Sequence, residues 1–378
     1  MSNKIIHLLD YAPVYSGNFI KSIIELNKKL KVNGCENQVL VFTDNTLQRE
    51  WVEDLKKEGF SLYFISKKSN FVKKFITISK IVKKEKPTII HSHFSYFDTI
   101  TGLLAITKKY TKYEFRSYWH IHSDFPKKAN IKNKIKQLIK YNVFANNSEI
   151  IAVSEKLIKD VKKSKFPENR LHLLHNGIDV SRARGFNLEN QKVEDVKFKD
   201  DKLTLLTFGS KIHIKGIDIL LEAIDKFSEL KSLQFQLVIV GKKETSNYVR
   251  ERYGDDLPEW LVIQPPIENV SELYTRSDVF ISSSRGEGFS YSVGEAMAND
   301  LYIISSDIPG LNWAKETNGV TFFETCNSKA LYETLEKILN GDITEIYKKG
   351  QLNREFIEKN YSLSNWVRNL LNIYRLRR

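Results

Sequence analysis

The chain has 378 residues, of which 41% are hydrophobic and 12% aromatic, and this length and composition are typical of a globular protein with two domains. No apolar run reaches the roughly 18 residues of a membrane span, and the N-terminus leads straight into a predicted strand. We therefore expect neither a spanning helix nor a signal peptide, and a cytoplasmic location. Cys35 and Cys326 are too far apart in sequence to suggest a disulfide framework.

The excess of positive charge lies in the first half of the sequence. Residues 1–180 carry 32 lysines and arginines against 17 aspartates and glutamates, whereas the rest of the chain carries 27 against 29. This asymmetry indicates a negatively charged partner for the first half. Nucleic acid, an anionic membrane surface and a phosphorylated acceptor all meet that requirement.

The first half alternates short apolar strands with helices, which is the pattern of a parallel sheet. After the first strand come a loop that contains Gly17 and a helix from about Phe19 to Leu30, an arrangement that begins a Rossmann-like domain. The predicted strands of this half are residues 5–9, 39–43, 62–65, 88–90, 115–119 and 149–154.

Two pairs of histidines stand at the ends of the fourth and fifth predicted strands, His91 with His93 and His120 with His122. Strand carboxyl ends face the ligand crevice in open α/β sheets, so His93 is a candidate on the acceptor side. The alternation of a strand places His120 and His122 on one face, and the sequence does not choose between them. A zinc site formed by all four histidines is an alternative that no cysteine or carboxylate at ligand spacing supports.

Two predicted helices of this half, residues 67–86 and 127–140, combine lysines with apolar residues at helical spacing. They are either ordinary helices that pack on the sheet, or surfaces for docking on an anionic membrane, where each nearby lysine contributes roughly 1 kcal/mol. The strong basic charge of this half favours docking. The apolar residues are Phe71, Val72, Phe75, Ile76, Ile78 and Val82 in the first helix and Ile131, Ile135, Leu138 and Ile139 in the second.

The second half repeats the same scheme after a polar linker at residues 181–200. A strand is followed by a loop from Gly209 to Gly216 and an amphipathic helix at 217–227. A final helix is predicted from Ser362 to Tyr374. The strands of this half are predicted at residues 203–208, 235–240, 259–263, 279–281 and 302–305, and a last strand near Val320.

The most informative stretch follows the strand at 279–281. Gly286 and Gly288 flank Glu287 in a tight loop, and a helix begins near Ser290, with Ser290 or Ser292 as its cap. A glycine loop at a helix N-terminus offers backbone N–H groups and the positive end of a helix dipole, which suit a phosphate or pyrophosphate.

Two carboxylates flank this predicted phosphate site. Glu287 lies in the loop, and Glu295 lies eight residues later in the first turns of the helix. At a rise of about 1.5 Å per residue, their separation is roughly the length of a nucleotide-sugar diphosphate. Because carboxylates are good acceptors for paired hydroxyls, one could hold a hexose and the other a ribose.

The Glu-Gly-Phe that starts at Glu287 and the Glu-Ala-Met-Ala that starts at Glu295, with seven residues between the two glutamates, resemble the signature of the family-four retaining glycosyltransferases. This resemblance implies the GT-B fold, an α/β protein of two Rossmann-like domains facing a central cleft, with a C-terminal helix that crosses back onto the first domain. The expected division is a first domain at 1–180, a linker at 181–200, a second domain at 201–361 and the returning helix at 362–378.

The resemblance also implies roles for individual residues. Glu287 would contact the transferred sugar, His122 would contact the donor sugar and phosphate, and Lys215 would stabilise the leaving diphosphate. Glu295 would hold the ribose. The other donor-binding positions would be Gly288, Phe289, Ser290, Lys211, Gly209 and Gly17.

One position of the donor loop departs from the family. Ser210 stands where an arginine is usual, and although Lys211 could substitute for it, a lysine cannot reproduce a guanidinium fork. Together with Lys243, Asp300 and Tyr302, this departure favours an alternative, a non-catalytic partner subunit with the same fold. A nucleic-acid-binding protein and a nucleotide-sugar epimerase are lesser alternatives.

The expected function is transfer of a hexose-type sugar, with retention, from a nucleotide diphosphate sugar to a glycan or lipid-linked acceptor in cell-surface polysaccharide synthesis. A UDP-sugar is the expected donor. The resemblance implies no cofactor and no metal, and no Asp-x-Asp motif occurs. We expect attachment to the inner face of the cell membrane, and no nucleic-acid partner.

Overall fold

The computed structural model describes residues 3–108, 113–123, 131–182, 202–228 and 235–376. The chain divides into two compact units, the first formed by Met1–Gly177 with Leu363–Arg378 and the second by Ile178–Ser362. The C-terminal segment therefore belongs to the first unit. Residues 183–200 of the predicted linker and residues 127–130 of the second basic segment lie outside the described part of the chain.

The first unit is built on a parallel sheet with seven described strands. These are β1 (Ile5–Leu9), β2 (Val39–Thr43), β3 (Ser61–Ile65), β4 (Ile89–His93), β5 (Arg116–Ile121), β6 (Glu149–Ala152) and β7 (Leu171–Leu173). Their order across the sheet is β3-β2-β1-β4-β5-β6-β7. The interior strands β1, β2 and β4 are buried along their whole length, as expected of a parallel sheet with both faces covered.

The histidine pairs belong to the strands themselves. β4 continues to His93, three residues beyond the predicted end of the strand, and β5 continues to Ile121, so that His91, His93 and His120 form part of the sheet. The reason is that parallel pairing with the neighbouring strands extends through these positions: His91 pairs with His7 of β1, and His93 with His120 of β5.

Helices connect the strands of the first unit, as expected of a parallel sheet, in which strands need crossover connections. Two of them have side-chain caps. Asn70 accepts from the backbone N–H of Lys73, and Ser154 accepts from that of Leu157. The helices are α1 (Gly17–Val32), α2 (Trp51–Lys57), α3 (Phe71–Glu85), α4 (Asp98–Thr107), α5 (Ile131–Asn142) and α6 (Glu155–Lys162).

The second unit contains a parallel sheet with six described strands. These are β8 (Leu203–Phe208), β9 (Phe235–Val240), β10 (Leu261–Gln264), β11 (Val279–Ser282), β12 (Tyr302–Ser306) and β13 (Val320–Phe323). The order is β10-β9-β8-β11-β12-β13, so the direction of winding reverses between β8 and β11. In open α/β sheets, ligands bind outside the carboxyl ends of the strands at such a switch point.

The loop from Gly209 to Gly216, predicted to be irregular, contains one helical turn, α7 (Ile212–Lys215). The other helices that follow it are α8 (Ile217–Ser228), α9 (Lys243–Tyr253), α10 (Ser271–Thr275), α11 (Tyr291–Ala298), α12 (Ser328–Leu339), α13 (Ile343–Asn360) and α14 (Leu363–Ile373). Among the described helices, none has both the length and the apolar character needed to cross a bilayer.

The C-terminal helix α14 completes the core of the first unit. Its residues Trp366 and Leu370 are buried in one cluster with Ile5 of β1 and Phe19 of α1. Just beyond the helix, the hydroxyl of Tyr374 forms a hydrogen bond with Nδ1 of His91. The predicted return of the final helix to the first domain is therefore confirmed.

Candidate active site

The candidate site of the second unit lies where the loops that follow β8 and β11 meet. Lys215 ends α7 in the first loop, and Glu287 lies in the second. The Lys215 Nζ atom lies 2.6 Å from Glu287 Oε1, and the two side chains are only 22% and 15% exposed. The hydroxyl of Ser284 donates to the same carboxylate oxygen at 3.0 Å. Two predicted site residues that are far apart in sequence thus form a charge-assisted hydrogen bond.

Close backbone approaches hold these two loops together. Gly216 has φ +64°, and a Cβ atom there would lie 1.9 Å from the carbonyl oxygen of Ser283. The hydroxyl of Ser283 donates to the carbonyl oxygen of Lys215 at 3.0 Å. On the other side, a Cβ at Gly310 would lie 2.0 Å from the carbonyl oxygen of Glu287. The backbone around Lys215 and Glu287 is therefore packed too tightly for side chains at these glycines.

Arg285 is a structural residue of the site that the sequence analysis did not identify. Its guanidinium donates to both carboxylate oxygens of Asp218, at 2.8 and 2.6 Å, and its backbone N–H donates to the carbonyl oxygen of Ile214 at 2.8 Å. The hydrogen bonds with Asp218 raise the pKa of the Arg285 guanidinium. This bidentate pair ties the Glu287 loop to the start of α8, and no spacing rule in the sequence pointed to it.

Glu295 is positioned by a second residue that the sequence analysis missed. Its Oε2 atom accepts a hydrogen bond of 2.8 Å from the hydroxyl of Tyr274, which is buried on α10. Ser290 occupies the N-cap position of α11, as predicted, but its side chain makes no capping hydrogen bond. Its hydroxyl instead lies 3.2 Å from the hydroxyl of Ser292, so Ser290 is the N-cap residue by position but without the side-chain hydrogen bond of a cap.

The remaining donor-side positions are distributed around the same loops. Gly209 follows β8, and its carbonyl oxygen accepts from the hydroxyl of Thr245 at 2.6 Å. Lys211 is exposed at the start of α7, next to the exposed Ser210. Phe289 is buried and stacks on Trp313, with ring centroids 4.7 Å apart. Gly288, between Glu287 and Phe289, is partly buried.

In the first unit, the predicted residues Gly17, His93 and His122 lie near the carboxyl ends of the central strands. Gly17 begins α1 with φ +58°. His93 is fully buried, and its Nδ1 lies 3.2 Å from Nε2 of His122. Of the two histidines that the sequence could not separate, His120 is fully buried and His122 is partly exposed. Exposure thus favours His122 as the residue that can reach a ligand.

Both units match models of known glycosyltransferase domains. Residues 21–182 match the model described as Glycosyltransferase Family 4, and residues 202–341 match the model described as Glycosyl transferases group 1. Together the two matches cover most of the chain. The chain belongs to the family-four glycosyltransferases with the GT-B fold. The resemblance carried by the Glu287 and Glu295 motifs is thereby confirmed.

Solved structures share the fold of this glycosyltransferase over its whole length. A glycosyltransferase from Rickettsia africae has a TM-score of 0.78 at 22% identity, and the similarity covers 99% of this chain and 98% of that one. Anabaena HepE in complex with UDP and glucose has a TM-score of 0.75 at 13% identity, with coverages of 99% and 100%. WaaG, a glycosyltransferase involved in lipopolysaccharide biosynthesis, has a TM-score of 0.68 at 13% identity, with coverages of 98% and 99%. No curated protein matches the sequence.

Gly216→Ala tests the tight packing between the two loops. It should lower the free energy of unfolding by about 2–5 kcal/mol, because a left-handed backbone costs an L residue roughly 1–2 kcal/mol and overpacking adds roughly 1–3 kcal/mol. Chemical denaturation of the full chain measures this loss. The matched control is Gly34→Ala, at φ +73°, where an added Cβ meets no heavy atom of the described residues within 4 Å. Equal losses in the two variants would contradict the packing argument.

Proposed function

We propose that this glycosyltransferase moves a hexose-type sugar from a nucleotide diphosphate sugar, with retention of configuration, and that the donor is a UDP-sugar. The observation that carries the proposal is the pairing of Lys215 with Glu287 at the switch point of the second sheet. The similarity to HepE, whose structure holds UDP and glucose, supports the choice of donor.

The bond that breaks joins the sugar to the diphosphate, and the Lys215–Glu287 pair has one group suited to each of these two parts. Negative charge develops on the diphosphate as it leaves, and a positioned ammonium group stabilises that charge most strongly in a site that excludes water. The carboxylate of Glu287 accepts hydrogen bonds from sugar hydroxyls. Donor binding would exchange the ion pair for these two contacts. Each side chain is already oriented, because Ser284 holds the carboxylate and the backbone of Lys215 is packed against Ser283.

The other donor contacts follow from the same arrangement. Glu295, oriented by Tyr274, would accept from the ribose hydroxyls, and Gly288, Phe289 and Ser290 would offer backbone contacts at the start of α11. Gly209 and Lys211 would border the diphosphate. From the first unit, His122 would contact the donor sugar and phosphate, and Gly17 would lie where the first loop approaches the donor and acceptor. His93 is fully buried, so we propose no acceptor contact for it. We expect attack on the face that the diphosphate leaves, without a covalent carboxylate intermediate and without a metal on the diphosphate.

Glu287→Ala should lower kcat for sugar transfer by at least roughly 10²-fold, the usual effect of removing a group that acts in the transition state. The measurement is transfer from a radiolabelled UDP-sugar to an acceptor extract. Circular dichroism should show an intact fold, since Glu287 is in a loop. Glu333→Ala removes an exposed glutamate of α12 and should retain full activity. Full activity of Glu287→Ala would rule out this role for Glu287.

A thermal-shift panel of UDP, GDP, ADP and their common sugars identifies the nucleotide. A ligand present at about 100 times its Kd stabilises the folded state by roughly 2.7 kcal/mol, which corresponds to a rise in Tm of about 5–10 °C for a unit of this size. We expect this rise with UDP or a UDP-sugar in the wild type, and its loss in Glu295→Ala. Stabilisation by GDP or ADP alone would contradict the choice of base.

The same panel decides between this proposal and a second candidate, a non-catalytic partner subunit. That candidate is favoured by Ser210, which is exposed in the donor loop where the family has an arginine. Arg285 does not replace it in this structure, because both of its charged contacts are to Asp218. A folded protein that no nucleotide stabilises, and that binds tightly to another glycosyltransferase, would support the partner subunit.

We also propose that the acceptor is a lipid-linked glycan of cell-surface polysaccharide synthesis, reached by docking of the basic first unit on an anionic membrane. Helix α3 buries Ile78, Ile81 and Val82 against the sheet, yet Phe71 and Val72 are 46% and 63% exposed. Helix α5 has a second exposed apolar row at Ile135, Leu138 and Ile139. Apolar side chains beside lysines are the features of a helix that lies in a membrane interface.

The apolar part of this surface can be tested with vesicles. The triple variant Phe71→Ser, Val72→Ser, Ile76→Ser should bind phosphatidylserine-containing vesicles at least about tenfold more weakly, because each lost side chain contributes on the order of 1 kcal/mol when it enters the interface. Co-sedimentation at low salt measures the binding. The matched control is the triple variant Ile343→Ser, Tyr347→Ser, Leu352→Ser, which alters exposed large side chains of the second unit.

The wild type should bind neutral phosphatidylcholine vesicles weakly, and salt should weaken its binding to anionic vesicles, because a Debye length shrinks to about 3 Å at 1 M. If the purified wild-type protein ignores anionic vesicles at low salt, the membrane proposal is wrong. A steeper salt-dependent affinity for nucleic acid than for vesicles would revive the nucleic-acid alternative.

A further inference from the structure

Five histidines lie together on one face of the sheet of the first unit. His7 lies on β1, His91 and His93 on β4 and His120 on β5, and His122 follows directly after β5. Strand register pairs His7 with His91 and His93 with His120. Because side chains alternate along a strand, His91 and His93 point to the same face. The centroids of these two rings are 4.0 Å apart.

This cluster leaves buried nitrogen atoms without hydrogen bonds. His7, His91, His93 and His120 are fully buried. Among the residues that the structure describes, Nε2 of His7, Nε2 of His91 and both ring nitrogens of His120 have no hydrogen-bond partner. An unsatisfied buried polar group costs about 1–3 kcal/mol, so a ligand that pairs with any one of these atoms would stabilise the folded first unit.

Three of these histidines have the geometry of ligands to one cation. His7, His91 and His93 each offer a ring nitrogen, and these three atoms lie within 4.8 Å of one another. Nδ1 of His7 and Nε2 of His93 are 3.2 Å apart and share a hydrogen bond, which a bound ion would replace. In a tetrahedral zinc site with Zn–N bonds of about 2.0–2.1 Å, two ligand nitrogens are about 3.3 Å apart. The observed spacing therefore requires little movement.

The surroundings of the three rings also suit a metal. Nδ1 of His91 is held by the hydroxyl of Tyr374, the kind of outer contact that orients a ligating histidine. His7, His91 and His93 are fully buried, and burial favours the neutral imidazole, which is the form that binds metals.

We propose that His7, His91 and His93 bind one divalent transition-metal ion, for which Zn²⁺ is the reference, and that this ion joins β1 to β4 beneath α14. Three neutral imidazoles suit zinc, copper, iron or nickel, and three-histidine zinc sites with a fourth, non-protein ligand are well established. The ion stabilises the first unit and takes no part in the chemistry at the diphosphate. Its binding does not depend on the proposed sugar donor.

A second group, His93 with His120 and His122, satisfies the same distance criterion. His93 belongs to both groups, so one ion at His7, His91 and His93 excludes a second ion unless an imidazolate bridges them. The first group is fully buried, it includes His91, whose Nε2 has no partner while its Nδ1 is held by Tyr374, and it leaves the partly exposed His122 available to a ligand. These observations favour the first group.

Metal content of the full chain tests the proposal. The protein is expressed without an affinity tag in medium supplemented with Zn²⁺, dialysed against buffer with a weak chelator, and analysed by inductively coupled plasma mass spectrometry. We expect about one ion per chain in the wild type, and less than about a tenth of that in His7→Gln and His93→Gln. His213→Gln, an exposed histidine of the second unit, and His122→Gln should keep the ion. A metal-free wild type overturns the proposal, and so does retention by His7→Gln with loss in His122→Gln.

A second measurement remains decisive if the variants fail to fold. Removal of the ion from the wild type with dipicolinate should lower Tm by several degrees, and added Zn²⁺ should restore it, because binding to the folded state alone stabilises that state. Co²⁺ exchanged into the wild type should give the visible absorption bands of a four-coordinate site with nitrogen ligands. An unchanged Tm together with absent cobalt bands would overturn the proposal. Neither readout requires sugar transfer, so failure here is distinguishable from failure of the proposed function.

Discussion

Parallel pairing of β8 with β11 is the constraint on which the candidate active site depends. Val279 and Phe280 of β11 pair with Leu205 and Leu206 of β8, so the carboxyl ends of two strands far apart in sequence lie side by side. Because the winding reverses there, neither following loop is covered by a crossover between the two strands. The site is the meeting of these two loops, and a glycine at position 216 lets their backbones come close enough.

Two ion pairs lie where these loops meet, and they differ in how firmly their geometry is held. Arg285 and Asp218 form a bidentate pair that fastens one loop to α8, and a fork of this kind has little freedom to reorient toward a ligand. Lys215 and Glu287 form a single contact between a flexible ammonium group and a carboxylate, which the proposed function would exchange for contacts to a diphosphate and a sugar. Because Ser210 stands where the family has an arginine, the proposed function assigns the stabilisation of the leaving diphosphate mainly to Lys215.

In the first unit, the carboxyl ends of the central strands carry buried polar side chains. Four imidazoles are buried where apolar side chains would otherwise extend the core formed by Ile5, Phe19 and Trp366. Buried polar atoms without partners oppose folding, and a bound cation or a complete hydrogen-bond network would offset that cost. The residue that follows α14 contributes to this region directly, since Tyr374 contacts His91 and is buried in the same cluster as Trp366. The C-terminal segment therefore supports the histidines as well as the core.

By itself, the sequence determined the α/β class, most strand positions, the returning helix and the motif that carries Glu287 and Glu295, because alternating apolar runs, glycines and short spacings are local properties of the chain. The tertiary structure alone decided which distant side chains meet. Tyr274 orients Glu295, Arg285 holds Asp218, and His7 joins the histidines of β4, although no local pattern connects these residues. The physical reason is that such contacts depend on the order and register of strands across a sheet, which the periodicity of a single strand does not encode.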